Sequence, residues 1–212
     1  MHSSGGGALA QSCPSSVPDF PSYPWIGSFG YYTTVDACAM YITYCYRIIP
    51  LPGSTETRYD YVVTSITPIN PSCTISSPYT LITDASVQIL SDNPHHFGFT
   101  DPCPLHNTYN YVAVQSTCWH IMPQSPVPGN GQLYCVGPCD VASWCLTGQA
   151  VCVDPVTHQL VILIVGHWAV GTNPCATNPP PKFGLPGIYD DPSLWNWDMQ
   201  TCYDVNPCDL RR

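Results

Sequence analysis

Thirteen cysteines in 212 residues constrain this chain more than any other feature. They stand at Cys13, Cys38, Cys45, Cys73, Cys103, Cys118, Cys135, Cys139, Cys145, Cys152, Cys175, Cys202 and Cys208. In a reducing compartment they would remain thiols, prone to metal capture and oxidation. In an oxidising one they become covalent staples. The sequence therefore predicts an exported, disulfide-stapled protein. The spacing leaves the pairing open. Because the count is odd, at least one sulfur is free, bonded to another chain or bound to something else. Cys13, in the leading arm, is expected to be the one that reaches a neighbour.

Charge narrows the field further. Charged residues make up 9% of the chain, against about 25% for an average soluble domain. Lys182 is the single lysine and Glu56 the single glutamate. The surface must then be built from uncharged polar groups, or partly hidden by neighbours. Net charge is −9, and no basic cluster exists beyond Arg211 and Arg212. Nucleic acid needs its phosphates neutralised, so it is not an expected partner. No apolar run approaches the ~18 residues of a membrane-spanning helix. Ala8-Leu9-Ala10 has the A-x-A form of a signal-peptidase site, although the Ser- and Gly-rich residues before it do not form an apolar h-region. Asn-x-Ser/Thr sequons are missing, since Asn70-Pro71-Ser72 is excluded by its proline. That composition suits a bacterial or archaeal exported protein.

Three parts are legible along the chain. Residues 1–30 read as an arm and a Pro-rich lead-in, broken by Pro14, Pro18, Pro21 and Pro24. Residues 31–170 read as a mostly β domain, an antiparallel β-sandwich with one short helix. Residues 171–212 read as a Pro-rich tail pinned by Cys175, Cys202 and Cys208. Within the domain, Tyr31–Thr34, Met40–Ile49 and Tyr59–Ile69 are strand-like, and Leu51-Pro52-Gly53-Ser54 makes the last two a hairpin. Ser77-Pro78 opens a helix over about 78–91 that places Leu81, Ile82, Ala85 and Ile89 on one face; Asp92-Asn93-Pro94 ends it. Residues 110–122 and 141–153 are two more strand-like segments. Leu160–Val165 is six apolar residues without alternation, which predicts a strand covered on both faces, by that helix or by another subunit.

The motifs of chemistry are sparse. No G-x-S-x-G, H-E-x-x-H or P-loop occurs. Most aspartates sit beside Pro or Asn in turn contexts, as in Asp101-Pro102 and Asp154-Pro155. Cys118-Trp119-His120 could bring a thiol and an imidazole to one strand face, but a disulfide at Cys118 is the expected use. Cys135-x3-Cys139 has the spacing of half a zinc site, and no matching second pair follows. His95-His96 reads as exposed loop. No catalytic residue, cofactor or metal is therefore expected.

The Tyr-rich strands around Cys45, the Cys-Trp strand at Cys118 and the Cys-bounded segment 145–152 resemble, in general style, exported Cys-rich surface and filament proteins of Bacteroidetes- and Chlorobi-type bacteria. No functional residue is carried over from that resemblance. Together with low charge, a doubly apolar strand and long irregular ends, it leads to an expected structural subunit of an extracellular filament or surface layer. Copies of the chain are the expected partners, joined head-to-tail by donation of an arm or strand from residues 1–30. Candidate assembly residues are Leu9, Cys13, Phe20, Tyr23, Trp25, Ile162, Ile164, Trp195 and Trp197. The alternative is a sugar-binding or adhesive module, with glycans held on Tyr and Trp faces.

Overall fold

The computed structural model describes residues 13–15, 17, 21–53, 56–69, 78–94, 97, 102–103, 110–123, 134–139, 142–175, 201–205 and 208. Among the described residues, nine strands and one helix follow in the order β1 (Ile26–Val35), β2 (Cys38–Pro50), β3 (Thr57–Pro68), α1 (Pro78–Asp92), β4 (Tyr111–Ser116), β5 (Cys118–Pro123), β6 (Tyr134–Pro138), β7 (Trp144–Val153), β8 (Leu160–Val170) and β9 (Tyr203–Asp204). The mostly β fold with one helix, stapled by disulfides, is the one the sequence predicts.

The strands form one branched sheet. β3 is the branch point. One of its edges pairs antiparallel with β2, from Thr57↔Pro50 to Pro68↔Met40. Tyr59 to Val62 pair parallel with β4, and Ile66 pairs antiparallel with β6. One path therefore runs β1-β2-β3-β4-β7-β8, and a second leaves β3 through β6 and β5 to β9. The expected sandwich of separate sheets is thus a single hydrogen-bonded network. The parallel pair follows from the helix. A chain that leaves β3, crosses in α1 and returns as the neighbouring strand must return parallel.

Both faces of the central strands are buried, by different means. On one side Leu81, Ile82, Ala85 and Ile89 of α1 pack with Ile42, Tyr44, Tyr61, Val63 and Ala113. The four helix residues are fully buried, as their spacing predicts. On the other side Val17 and half-buried Trp25 of the lead-in pack over Val62, Val112, Val114, Trp144 and Leu146. All six residues of β4 are buried, with Tyr111 and Ala113 in the first cluster and Val112 and Val114 in the second. Burial of each large apolar side chain contributes about 1.5–3 kcal/mol against the entropy of ordering it.

Local chemistry ends the elements. Asn93 stops α1 with φ of 46°, and its side chain both accepts from the Phe97 amide at 2.6 Å and donates to the Phe97 carbonyl at 2.9 Å. The β2–β3 hairpin closes through the Leu51 amide on the Glu56 carbonyl, with Gly53 at φ of 75°. The β1–β2 hairpin instead turns on Asp36 and Ala37, with φ of 51° and 61°, between paired Val35 and Cys38. Two left-handed central residues make the turn that suits a tight hairpin. Alanine bears a Cβ penalty in that region which glycine avoids. Ala37→Gly is expected to raise stability by about 1 kcal/mol, seen as a rise of roughly 2–4 °C in Tm by calorimetry.

Candidate functional site

Five disulfides join described residues: Cys13–Cys45, Cys103–Cys152, Cys118–Cys175, Cys139–Cys202 and Cys145–Cys208. Cys38 is also disulfide-bonded. Among the described residues, Cys135 is the cysteine outside any disulfide, and it is buried. The expectation that Cys13 reaches a neighbour is therefore corrected. Cys13 staples the lead-in to its own β2, which β1 also joins. Residues 26–30 likewise pair with β2 of their own chain, as the start of β1. The sequence could not separate Cys135 from the rest, because parity counts a leftover sulfur without locating it.

The disulfides also settle the cysteine-based alternatives. Cys118 is bonded to Cys175, as expected. The ligand atoms of His120, Cys139 and Cys202 lie within 4.8 Å of one another. Yet the two sulfurs are bonded to each other, so neither is a thiolate able to hold zinc. The pairing of Cys135 with Cys139 as half a zinc site falls for the same reason.

Beneath the lead-in lies a buried charge cluster. Arg47 donates from Nε and Nη2 to Asp60 Oδ2 at 3.0 and 2.8 Å. Arg58 donates from Nε to Oδ1 at 2.5 Å and from Nη2 to Oδ2 at 3.0 Å. The three side chains are at most 4% exposed. Trp25 lies over the Arg47 guanidinium, 4.6 Å from carbon to ring centroid. Beside it opens a cleft of about 720 Å³, lined among others by Cys13, Pro14, Pro21, Tyr23, Trp25 and Arg47. Tyr23 and Trp25, both candidate assembly residues, are thus brought together at one cleft.

Other polar groups are held inside the sheet. The Tyr61 hydroxyl donates to Gln149 Oε1. Burial pushes the Tyr31, Tyr44 and Tyr61 phenols up, Tyr44 to about 12, so these phenols stay protonated near neutral pH. His167 Nδ1 lies 2.9 Å from Thr147 Oγ1. Burial lowers the His167 pKa, which keeps its imidazole neutral there.

The apolar run in β8 lies where the sequence did not place it. A strand covered on both faces was expected. Instead β8 is the last strand of its path and pairs only with β7 among the described residues. Leu163, Ile164 and Val165 are 49%, 53% and 45% exposed, and Ile162 is half-buried. Helix α1 packs mainly on β1, β3 and β4; Leu160 and Ile162 at one end of β8 reach the helix-side core, Trp168 and Val170 at the other end reach the opposite one, and the exposed residues lie between them at a register shift. At the opposite end of the path β1 exposes Ile26 and Tyr32, and Ile48 of β2 is exposed as well. Leu9, Phe20, Trp195 and Trp197 lie outside the described residues.

Among known proteins, no family model, curated protein or solved structure matches the chain. No described helix is long and apolar enough to cross a membrane.

Two outcomes test this part of the molecule. Thiol labelling of unfolded, unreduced protein is expected to modify Cys135, with peptide mapping as the readout; labelling spread over several cysteines would contradict the bridges described. Asp60→Asn leaves two buried guanidiniums without their carboxylate and is expected to cost about 3–5 kcal/mol in urea unfolding.

Proposed function

We propose that the protein is a structural subunit of a self-assembling extracellular filament or surface layer. One observation carries the reading: the path β1-β2-β3-β4-β7-β8 ends on both sides in strands that expose apolar side chains. A soluble monomer normally blunts such edges with lysine, proline or a covering loop. β8 contains no Lys, Arg, Asp, Glu or Pro; its one irregularity is a register shift between Ile164 and Gly166. A subunit open at opposite ends of one sheet adds neighbours along a line. The disulfides support a life outside the reducing cell interior and would harden each unit against heat and protease.

A second reading rests on the cleft. Tyr23 and Trp25 offer flat faces on which sugar rings stack, and Arg47 holds Trp25 in place. This would make the chain a secreted carbohydrate-binding or adhesive module.

Negative-stain microscopy and light scattering over a concentration series separate the two. Fibres or sheets are expected for the native protein. Ile164→Lys is expected to raise the concentration needed for assembly at least about tenfold, the effect of ~1.4 kcal/mol lost per contact. A monodisperse protein that binds oligosaccharides, with binding abolished by Trp25→Ala, would replace the first reading with the second.

A further inference from the structure

We infer that His120, Cys139 and Cys202 form a redox-gated zinc site. It is closed as a disulfide in the oxidised protein, and takes Zn²⁺ once a dithiol reductant has opened the Cys139–Cys202 bridge. This goes beyond the assembly reading and does not rest on it.

Strand pairing places the three side chains together. Trp119 of β5 pairs with Pro138 of β6 on one side and with Tyr203 of β9 on the other. One step along the first register sets Cys139 opposite Cys118, where the Cys139 amide donates to the Cys118 carbonyl at 2.9 Å. One step along the second sets Cys202 opposite His120. Trp119, Ile121 and Tyr203 turn into the helix-side core. Alternation therefore sends His120, Cys139 and Cys202 to the other face of the sheet. There the three ligand atoms lie within 4.8 Å of one another, the one such group among the described residues. His120 and Cys202 are half-buried, so solvent and small solutes reach them.

This spacing is that of a metal centre with one bond still to break. Zinc, held about 2.3 Å from sulfur and about 2.0 Å from nitrogen, keeps tetrahedral ligands roughly 3.5–3.8 Å apart. Rotating the two cysteine side chains out of their mutual bond opens that spacing. Two thiolates and an imidazole leave the fourth position to water. The backbone is held by other means when the bridge opens. Tyr203 and Val205 are buried, and the Val205 amide donates to the Thr117 carbonyl. Cys118–Cys175 and Cys145–Cys208 anchor the tail on either side of Cys202.

The chemistry balances in two steps. The dithiol gives two electrons and two protons to the bridge, leaves as its own disulfide, and yields two thiols. Zn²⁺ then displaces both thiol protons to solvent as two Zn–S bonds and one Zn–N bond form. The two thiolate charges neutralise the cation.

The test uses the full chain, oxidised or opened by limited treatment with a phosphine reductant under argon, with Zn²⁺ as the probe. Elemental analysis is expected to find one zinc per chain after reduction, and none retained by the oxidised chain. Zinc is expected to protect Cys139 and Cys202 from alkylation, as read by peptide mapping. His120→Gln is expected to weaken zinc binding at least tenfold, and His120→Asp, which restores a ligand oxygen, to recover part of it. Protection in the unsubstituted chain is read independently of either variant. A reduced chain that takes no zinc overturns the inference. So does zinc that protects other cysteines, or that binds equally well to His120→Gln. A Cys139–Cys202 bridge that opens only as the sheet unfolds, followed by far-UV dichroism, overturns the gating.

Discussion

Everything in this molecule hangs on the pairing of β3. Thr57–Pro68 gives one edge to β2 and divides the other between β4 and β6. Three neighbours can share one strand only if both its faces are sealed, since an exposed backbone at the branch would let water compete for the ladder. Helix α1 seals one face and the stapled lead-in seals the other. Asp60 sits at this centre, 0% exposed and bonded to two guanidiniums. The charges are tolerable there because the hydrogen bonds replace much of the lost hydration.

The disulfides perform a different task from the core. Cys103–Cys152, Cys118–Cys175 and Cys145–Cys208 fix segments with little regular structure to strands that have it. Among its described residues the tail adds two to the sheet as β9, held by the Val205 amide on the Thr117 carbonyl. A segment so short could not stay ordered by pairing alone. Covalent attachment lets a chain with few charges and many prolines hold irregular parts in place without enlarging the core.

Local signals were easy to read and long-range ones were not. Leu81, Ile82, Ala85 and Ile89 announced the helix because its period is written into consecutive turns. The hairpin at Gly53 carried the turn residues its backbone needs. The turn at Asp36-Ala37 did not, since alanine gives no sign of a left-handed backbone. The strand expected over residues 110–122 is two, divided at Thr117, where the Ser116 hydroxyl bonds to both the amide and the carbonyl of Cys118. β6 went unread because its five residues hold no alternation to find. The β8 run misled for a sharper reason. Apolarity measures how much a strand wants cover, and says nothing about whether its own chain supplies it. Of the candidate site, Tyr23 and Trp25 were legible as aromatic candidates, whereas Arg47 beneath them was not. Its role depends on Asp60 across the hairpin.

The bridges of the C-terminal half overlap rather than sit side by side. Cys103–Cys152, Cys118–Cys175, Cys139–Cys202 and Cys145–Cys208 each begin before the previous one has closed. Every peptide bond from Cys103 to Cys208 is therefore enclosed by at least one bridge, and those between Cys145 and Cys152 by all four. Such a linkage is redundant in the way a woven mesh is: severing one thread does not release a piece. A backbone break anywhere in this half would leave the fragments tethered, and the sheet would keep its shape as a wound rather than lose it as a loss of parts. Damage in this region is thus uncoupled from disassembly.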